Sequence, residues 1–501
     1  MVDSMDKIVN LAKQRGFIFP GSEIYGGLQN SWDYGPLGTQ LLNNLKSAWW
    51  KFFVESRPDM VGLDSTVIMN PLVWETSGHI DNFTDPLVED KKTHIRYRAD
   101  HLLEENGIDA SGLSIDEMGK LIEDRKIKSP DGNDFTPPRQ FNLMFKTFLG
   151  PTDPVSRIAE IYFKLETVDL LEISEEERKS KREKLKREAF EAFHEADSAT
   201  AYLRPELAQG MFVDFPTVLR VSRKKLPFGI AQIGKTFRNE ITAGNFIFRL
   251  KEFNLMEFEY FFNPKEWEKI FEMWLGEMKK WFEFIGIKED SLYYHEIPDG
   301  ERAHYSKRTI DIEYKFPFGT KELNAISYRT DFDLKNHMEK SGADFTYTDP
   351  ETNEKFIPHV IEPTFGIDRT ILAVLCSAYI EEEAPTADNG KTETRIVLKL
   401  PKALAPVKVA ILPLSNKPEL TDLATKIWDN LRPHFATEYD ITQSIGRRYR
   451  RQDEIGTPYC VTVDFKSLSD NAVTVRDRDT MKQERVGIPG LADYLNDKLA
   501  L

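Results

Sequence analysis

A chain of 501 residues, 40 % hydrophobic and 30 % charged, is long enough for two or more domains with cores of their own and has the composition of an ordinary soluble protein. No apolar run approaches a membrane span, the N-terminus lacks the basic start and apolar stretch of a signal peptide, and only Cys376 and Cys460 are present, both in apolar runs; free buried thiols in a reducing cytoplasm are expected. The net charge of −15 argues against a nucleic-acid partner only on average, because residues 401–501 balance at +1 and the rest carries −16.

In chain order, Gly35-Pro36-Leu37-Gly38 ends an irregular segment and opens a helix whose Leu41, Leu42, Leu45, Trp49, Phe52 and Phe53 form one apolar face. Arg57-Pro58 stops it, and residues 60–69 read as a strand closed by Asn70-Pro71. Asp90, His94 and His101 are candidate metal ligands by residue type, but no cysteine pair accompanies them and zinc is not expected. His79 and His304 are read as hydrogen-bonding residues. Residues 100–135 are polar, with little to build a core, and read as an insertion; residues 175–195 read as a solvated charged helix. Strands are expected at 213–221 and again on both sides of the segment running from Phe237 to Phe253.

That segment, Phe-Arg-Asn-Glu-Ile-Thr-Ala-Gly-Asn-Phe-Ile-Phe-Arg-Leu-Lys-Glu-Phe, is the most informative in the chain. Arg238 and Arg249 flank a loop between two apolar runs, a hairpin with guanidinium forks for phosphate oxygens, the Glu240 carboxylate for an exocyclic amine and the Phe253 face for a ring. Beyond it, residues 267–285 read as a helix covering one face of a sheet. Glu362-Pro-Thr-Phe-Gly-Ile-Asp-Arg369 runs into the apolar stretch 371–378, with Gly366 allowing close backbone approach and Arg369 at a helix start. Residues 381–394, with Pro385 and Asn389-Gly390, are the linker candidate. From Lys399 on, strands at 407–412, 459–465 and 472–475 alternate with helices near 419–431 and 491–499, a separate α/β domain. Its Arg447, Arg448, Arg450 and Arg451 form a basic cluster suited to phosphates, or else a solvated face.

The hairpin and the Glu362–Arg369 segment resemble the second and third signature motifs of class II aminoacyl-tRNA synthetases, and the helix and strand before Asn70-Pro71 the first. Together with Trp32-Asp-Tyr-Gly-Pro-Leu-Gly38, Tyr97-Arg-Ala-Asp-His101 and Leu203-Arg-Pro-Glu-Leu-Ala-Gln-Gly210, they make nearly the whole chain similar to the glycyl-tRNA synthetases of single-polypeptide, homodimeric type. The resemblance implies an α+β catalytic domain, an antiparallel sheet flanked by helices, over residues 1–395 with insertions at about 100–135 and 265–315. A carboxy-terminal α/β anticodon-binding domain over 400–501 would follow, with the four arginines near tRNA. It implies ATP and Mg²⁺ as cofactors, and glycine and tRNA(Gly) as partners.

By the same resemblance, Arg238, Arg249 and Arg369 are catalytic. ATP is held by Arg238, Asn239, Glu240, Phe248, Arg249, Phe253, Glu322, Leu323, Gly366 and Arg369, with Glu322 carrying Mg²⁺. Glycine is held by Arg98, Glu206, Phe253, Glu257, Glu362, Thr364 and Gly366. Relatives usually have Ser where this chain has Thr364, and the added methyl should tighten the pocket against alanine. Other class IIa specificities are disfavoured by the small acidic pocket, and a binding-only accessory protein by retention of the three arginines.

Overall fold

The computed structural model describes all residues except 1, 3, 111, 152, 242–243, 304, 386–391 and 501. Its centre is a seven-stranded sheet made of β1 (Met60–Gly62), β2 (Phe228–Phe237), β3 (Glu252–Phe262), β4 (Leu292–Glu296), β5 (Arg308–Phe316), β6 (Gly319–Thr330) and β7 (His359–Gly366), in the order β4-β5-β6-β7-β3-β2-β1. Every pairing is antiparallel except β1 with β2.

Period-two alternation divides the sheet's residues between two cores. On β3, Met256, Phe258, Tyr260 and Phe262 face one side, where they pack with helices α1 (Pro36–Trp50), α3 (Trp267–Phe284) and α5 (Ile367–Ala378). Leu255 and Phe261 face the other, against α2 (Ala208–Ser222) and α4 (Phe332–Ser341). Glu257 and Glu259 lie on this second face by the same alternation, and so do Glu362 and Thr364 of β7. A patch of carboxylates is therefore built into the middle of a sheet face whose ends are apolar.

Several expectations are corrected. Residues 213–221 are helical, not a strand: Met211, Phe212, Phe215 and Val218 are buried at helical spacing, and this burial holds the helix despite Pro216 inside it. The strand from residue 60 ends at Gly62, because the chain turns away after Leu63 and the Ser65 carbonyl accepts from Arg204 Nη1 at 2.7 Å; only a single bridge, Ile68 to Leu203, follows.

Residues 100–135 do have a core. Leu102, Leu103, Met118, Ile122, Ile127 and Phe135 pack with Val88 of a three-stranded sheet. The segment 265–315 supplies α3, β4 and β5, so it is woven into the main sheet rather than hung from it. The charged stretch is a helix, Glu175–Ser198, mostly exposed and packed on Pro154–Thr167 through Leu185 and Ala192. In place of a linker, Tyr379–Pro385 and Thr392–Leu398 pair as antiparallel strands, while Asn389-Gly390 lies outside the described residues, as does His304.

The carboxy-terminal residues form the expected strands and helices, together with two further strands and the helix Ile445–Ile455. Strand Val409–Pro413 is second in a five-stranded mixed sheet, between parallel Thr437–Tyr439 at the edge and Tyr459–Val463 at the centre, with Ala472–Asp477 and Gln483–Gly487 beyond. Helices Pro418–Leu431 and Leu491–Leu499 cover its core. Both cysteines are free and buried. Among the described residues no helix is long and apolar enough to cross a membrane.

Candidate active site

A cavity of about 400 Å³ opens over the second sheet face. Its wall gathers, from four separated stretches of chain, Glu206, Arg238, Glu240, Phe248, Arg249, Phe253, Glu257, Glu322, Leu323, Glu362, Thr364, Gly366 and Arg369. Nearly all of the residues singled out from sequence thus converge on one space. The hairpin does this mechanically: Phe253 pairs with Thr236 and Glu252 with Phe237, so the loop between β2 and β3 starts and ends at the cavity rim.

At one end lie the cations. The Arg238 guanidinium stands over the rings of Phe83 and Phe253, 5.2 and 5.3 Å from their centroids, and its Nε donates to the Pro205 carbonyl. Arg369 lies 4.4 Å over the Phe248 ring and is steadied by the Phe248 carbonyl (3.2 Å) and the Glu322 carboxylate (3.1 Å). Arg249 is only loosely paired, 3.9 Å from Glu240. Aromatic faces on one side and few firm hydrogen bonds leave these guanidinium forks with donors to offer an anion. Asp311 of β5 also lines this end, and burial, reinforced by Glu322, pushes its carboxyl up to about 7. Two neighbouring carboxyls, one held toward neutrality by burial and the other's charge, form a donor set that fits a hard divalent cation.

At the other end lie the anions, and each has its own circumstances. Glu206 accepts from Gln209 Nε2 at 3.0 Å and sits 3.2 Å from His79 Nε2. Despite burial, the charges and hydrogen bonds of His79, Arg329 and Gln209 hold its carboxyl well below the ordinary range. His79 thus has the hydrogen-bonding role expected, its Nδ1 lying 2.8 Å from Ser77 Oγ. Glu257 accepts from the Leu207 amide and from Thr364 Oγ1 at 2.8 Å, yet burial and Glu206 push it up to about 7. Glu362 accepts from Arg329 Nη1 at 2.9 Å and is pushed up to about 8 by burial. Glu259 lies wholly buried behind them, and among the described residues neither of its oxygens has a hydrogen-bond partner.

The sequence reading missed Arg329, although it organises this end. Its Nε and Nη2 grip Asp333 at 2.9 and 3.0 Å while Nη1 holds Glu362, and its guanidinium lies 3.9 Å over the Tyr305 ring. The signal was present in Ser327-Tyr-Arg329: polar residues alternating with Ile326 and Tyr328 in a buried strand, with Asp333 four residues on. Asp311, between Ile310 and Ile312, carried the same signature.

The remaining expected residues have partners of their own. Arg98 and Asn239 are not part of the cavity wall. Arg98 is drawn to Asp85 (3.0 Å) and Asp100 (3.1 Å), and Asn239 Oδ1 accepts from Lys251 Nζ. Asp90 caps a turn, accepting from the amides of Lys92 and Thr93 and from Ser129 and Asn133, while His94 pairs with Glu89 at 2.8 Å.

The basic cluster is mostly internal structure. In helix Ile445–Ile455, Arg448 is buried and donates to the Pro413 and Asp440 carbonyls, Arg451 pairs with Asp440, and Arg450 pairs with Glu393 at 2.6 Å. Arg447 alone of the four is exposed. Residues 448, 452 and 455 are buried at helical spacing, so the arginine facing inward must find carbonyls there.

Comparison with known proteins accords with this geometry. Residues 191–378 match the tRNA synthetase class II core domain (G, H, P, S and T), and residues 408–498 the anticodon binding domain. The chain is 49 % identical to the glycine–tRNA ligase of Macrococcus caseolyticus, with 99 % of each chain covered, and 49 % identical to that of Staphylococcus epidermidis, with 100 % of each covered. It is 48 % identical to that of Bacillus anthracis over 99 % of each. In fold it resembles the prolyl-tRNA synthetase of Cryptosporidium parvum, with a TM-score of 0.57 at 14 % identity, covering 99 % of this chain and 77 % of that one. Full-length identity of this order, with both domains in register, means that the chain belongs to the glycine–tRNA ligase family of class II aminoacyl-tRNA synthetases.

Proposed function

We propose that the protein joins glycine to ATP, giving glycyl-adenylate and pyrophosphate, and then passes glycine to the 3′ end of tRNA(Gly). One observation carries the substrate assignment: the cavity has a cationic end made of three arginines and an anionic end made of buried glutamates. Adenylate formation brings a carboxylate against a triphosphate, and both are anions. The carboxylate oxygen attacks the α-phosphorus, and the bond to the bridging oxygen breaks as pyrophosphate leaves. Fixed positive charge and alignment are what a protein can contribute.

Arg238, nearest the glutamates along the hairpin, clamps the α-phosphate and the glycine carboxylate. Arg249 and Arg369 take the distal phosphates of a bent ATP, and Phe253 and Glu240 receive the adenine. Asp311 and Glu322 fit Mg²⁺, which when bound neutralises phosphate charge. Glu206, Glu257 and Glu362 meet the glycine ammonium. With no side chain to grip, selectivity rests on exclusion, and Thr364, donating to Glu257, narrows the space where a β-carbon would lie.

The second step belongs to tRNA, with residues 400–501 over the anticodon and Arg447 the exposed cation of its basic helix. We assign a homodimer in the cytoplasm; exposed Ile24, Tyr25 and Leu28, just before α1, are apolar surface that suits a second copy. Charging a tRNA(Gly) transcript with labelled glycine tests the reading. Glycine acceptance with no acceptance by a tRNA(Ala) transcript is expected; failure to charge tRNA(Gly) in the presence of ATP and Mg²⁺ would refute it.

A further inference from the structure

Glu259 has no part in the reading above, yet its carboxyl is buried with neither oxygen given a hydrogen-bond partner among the described residues. It is 0 % exposed, and one carboxylate oxygen from each of Glu257, Glu259 and Glu362 lies within 4.8 Å of the other two. The register that pairs Glu257 with Thr364 and Tyr260 with Ile361 sets Glu259 directly across from Glu362 on the neighbouring strand. Its other neighbour, Ile230 of β2, offers nothing polar.

The groups around this pair have prior commitments. Arg329 of β6 spends Nε and Nη2 on Asp333 of α4 and Nη1 on Glu362. Gln209 of α2 is divided between Glu206, Asp333 and His337, and His79 faces Glu206. Tyr305 lies against Arg329. The Arg329 charge acts on Glu259 as well, but no described residue gives Glu259 a hydrogen bond, and two carboxylates opposed across buried strands cannot both stay ionised.

Resting on the glycine assignment, we propose that Glu259 is a permanently protonated carboxylic acid, a positioning residue that donates a hydrogen bond to Glu362 and thereby presents Glu362 to the substrate ammonium as an anion. The site then has the negative charge it needs at its surface without a second charge buried behind it. The proton stays on Glu259 in the empty and the glycine-bound enzyme alike. Burial and the adjacent Glu362 carboxylate both push Glu259 in that direction.

The test compares the wild type, Glu259→Gln and Glu259→Leu in ATP–pyrophosphate exchange, together with infrared spectra of the glycine-bound wild type and Glu259→Gln at neutral pH. Gln is neutral and keeps a donor, so its KM for glycine should stay close to that of the wild type. Leu offers no donor, and the KM for glycine should rise by roughly ten- to a hundredfold, the range for losing a hydrogen bond to a charged group, with the KM for ATP unchanged. The wild type should show a carboxylic-acid carbonyl band that is missing from Glu259→Gln.

Equal loss in both variants would overturn the proposal, and so would the absence of that difference band; the second readout stands even if Glu259→Leu does not fold. A wild type inert with glycine would overturn the substrate assignment, and the proposal with it.

Discussion

Arg329 is where fold and site depend on one side chain, and its removal has a calculable consequence. Arg329→Met keeps the apolar stem and deletes the charge, leaving Asp333 with Gln209 as its remaining side-chain donor and Glu362 without its guanidinium. Removing one partner of a buried pair costs about 3–5 kcal/mol because the other charge is stranded. Glu362, already pushed up to about 8, can take a proton, so most of the cost falls on Asp333. At about 1.2 °C per kcal/mol for a domain of this size, thermal unfolding should drop by roughly 4–6 °C.

The double variant Arg329→Met with Asp333→Asn removes the stranded charge as well. It should recover part of the loss, with a coupling energy of about 1–3 kcal/mol in the double-mutant cycle. Differential scanning fluorimetry of the four proteins measures this. Losses that simply add, or a shift near zero for Arg329→Met, would refute the claim that Arg329 exists to hold these carboxylates.

Substituting Arg238 by Ala should abolish glycine-dependent pyrophosphate exchange, because the α-phosphate loses its clamp; unchanged exchange would sink that role. Asp311→Asn should raise the Mg²⁺ concentration required for half-maximal exchange, and an unchanged Mg²⁺ titration would remove Asp311 from the metal's surroundings. The pH dependence follows from Glu257 and Glu362, pushed up to about 7 and 8, chiefly by burial. In the empty site they are partly neutral at pH 7, and a bound ammonium favours their ionised forms, so glycine binding releases protons. The KM for glycine should therefore fall as pH rises from 6 to 8; a flat or rising KM over that window would contradict the assignment. Thr364→Ser retains the donor to Glu257 and removes a methyl, so discrimination against alanine should weaken, by up to roughly tenfold for one methyl group. Exchange rates with the two amino acids measure it.

Much of this was legible in the sequence where the signal is local. The β2–β3 hairpin, α3, the Gly366–Arg369 turn into α5 and three of the last domain's five strands announce themselves by period and by turn residues, and the structure has them. The failures share a cause in tertiary context. Residues 213–221 carry a β-like run of apolar and branched side chains with a proline, and only burial of Phe212, Phe215 and Val218 against the sheet makes them helical. Arg448 reads as a surface cation, yet its helix turns it inward to the carbonyls of Pro413 and Asp440. Arg329 and Asp311 were passed over because each is a single polar residue in an apolar strand, and what it faces is set by strands far away in sequence. Arg98 was carried over from the resemblance, and nothing nearby in sequence tells whether Asp85 competes for it.

The central claim is that one cavity, cationic at one end and anionic at the other, activates glycine. Its most direct test is ATP–pyrophosphate exchange with each of the twenty amino acids offered separately, without tRNA. Exchange with glycine alone is the predicted result. Exchange with a different amino acid and not with glycine would contradict it, leaving the arginines their chemistry and taking from the glutamates their substrate.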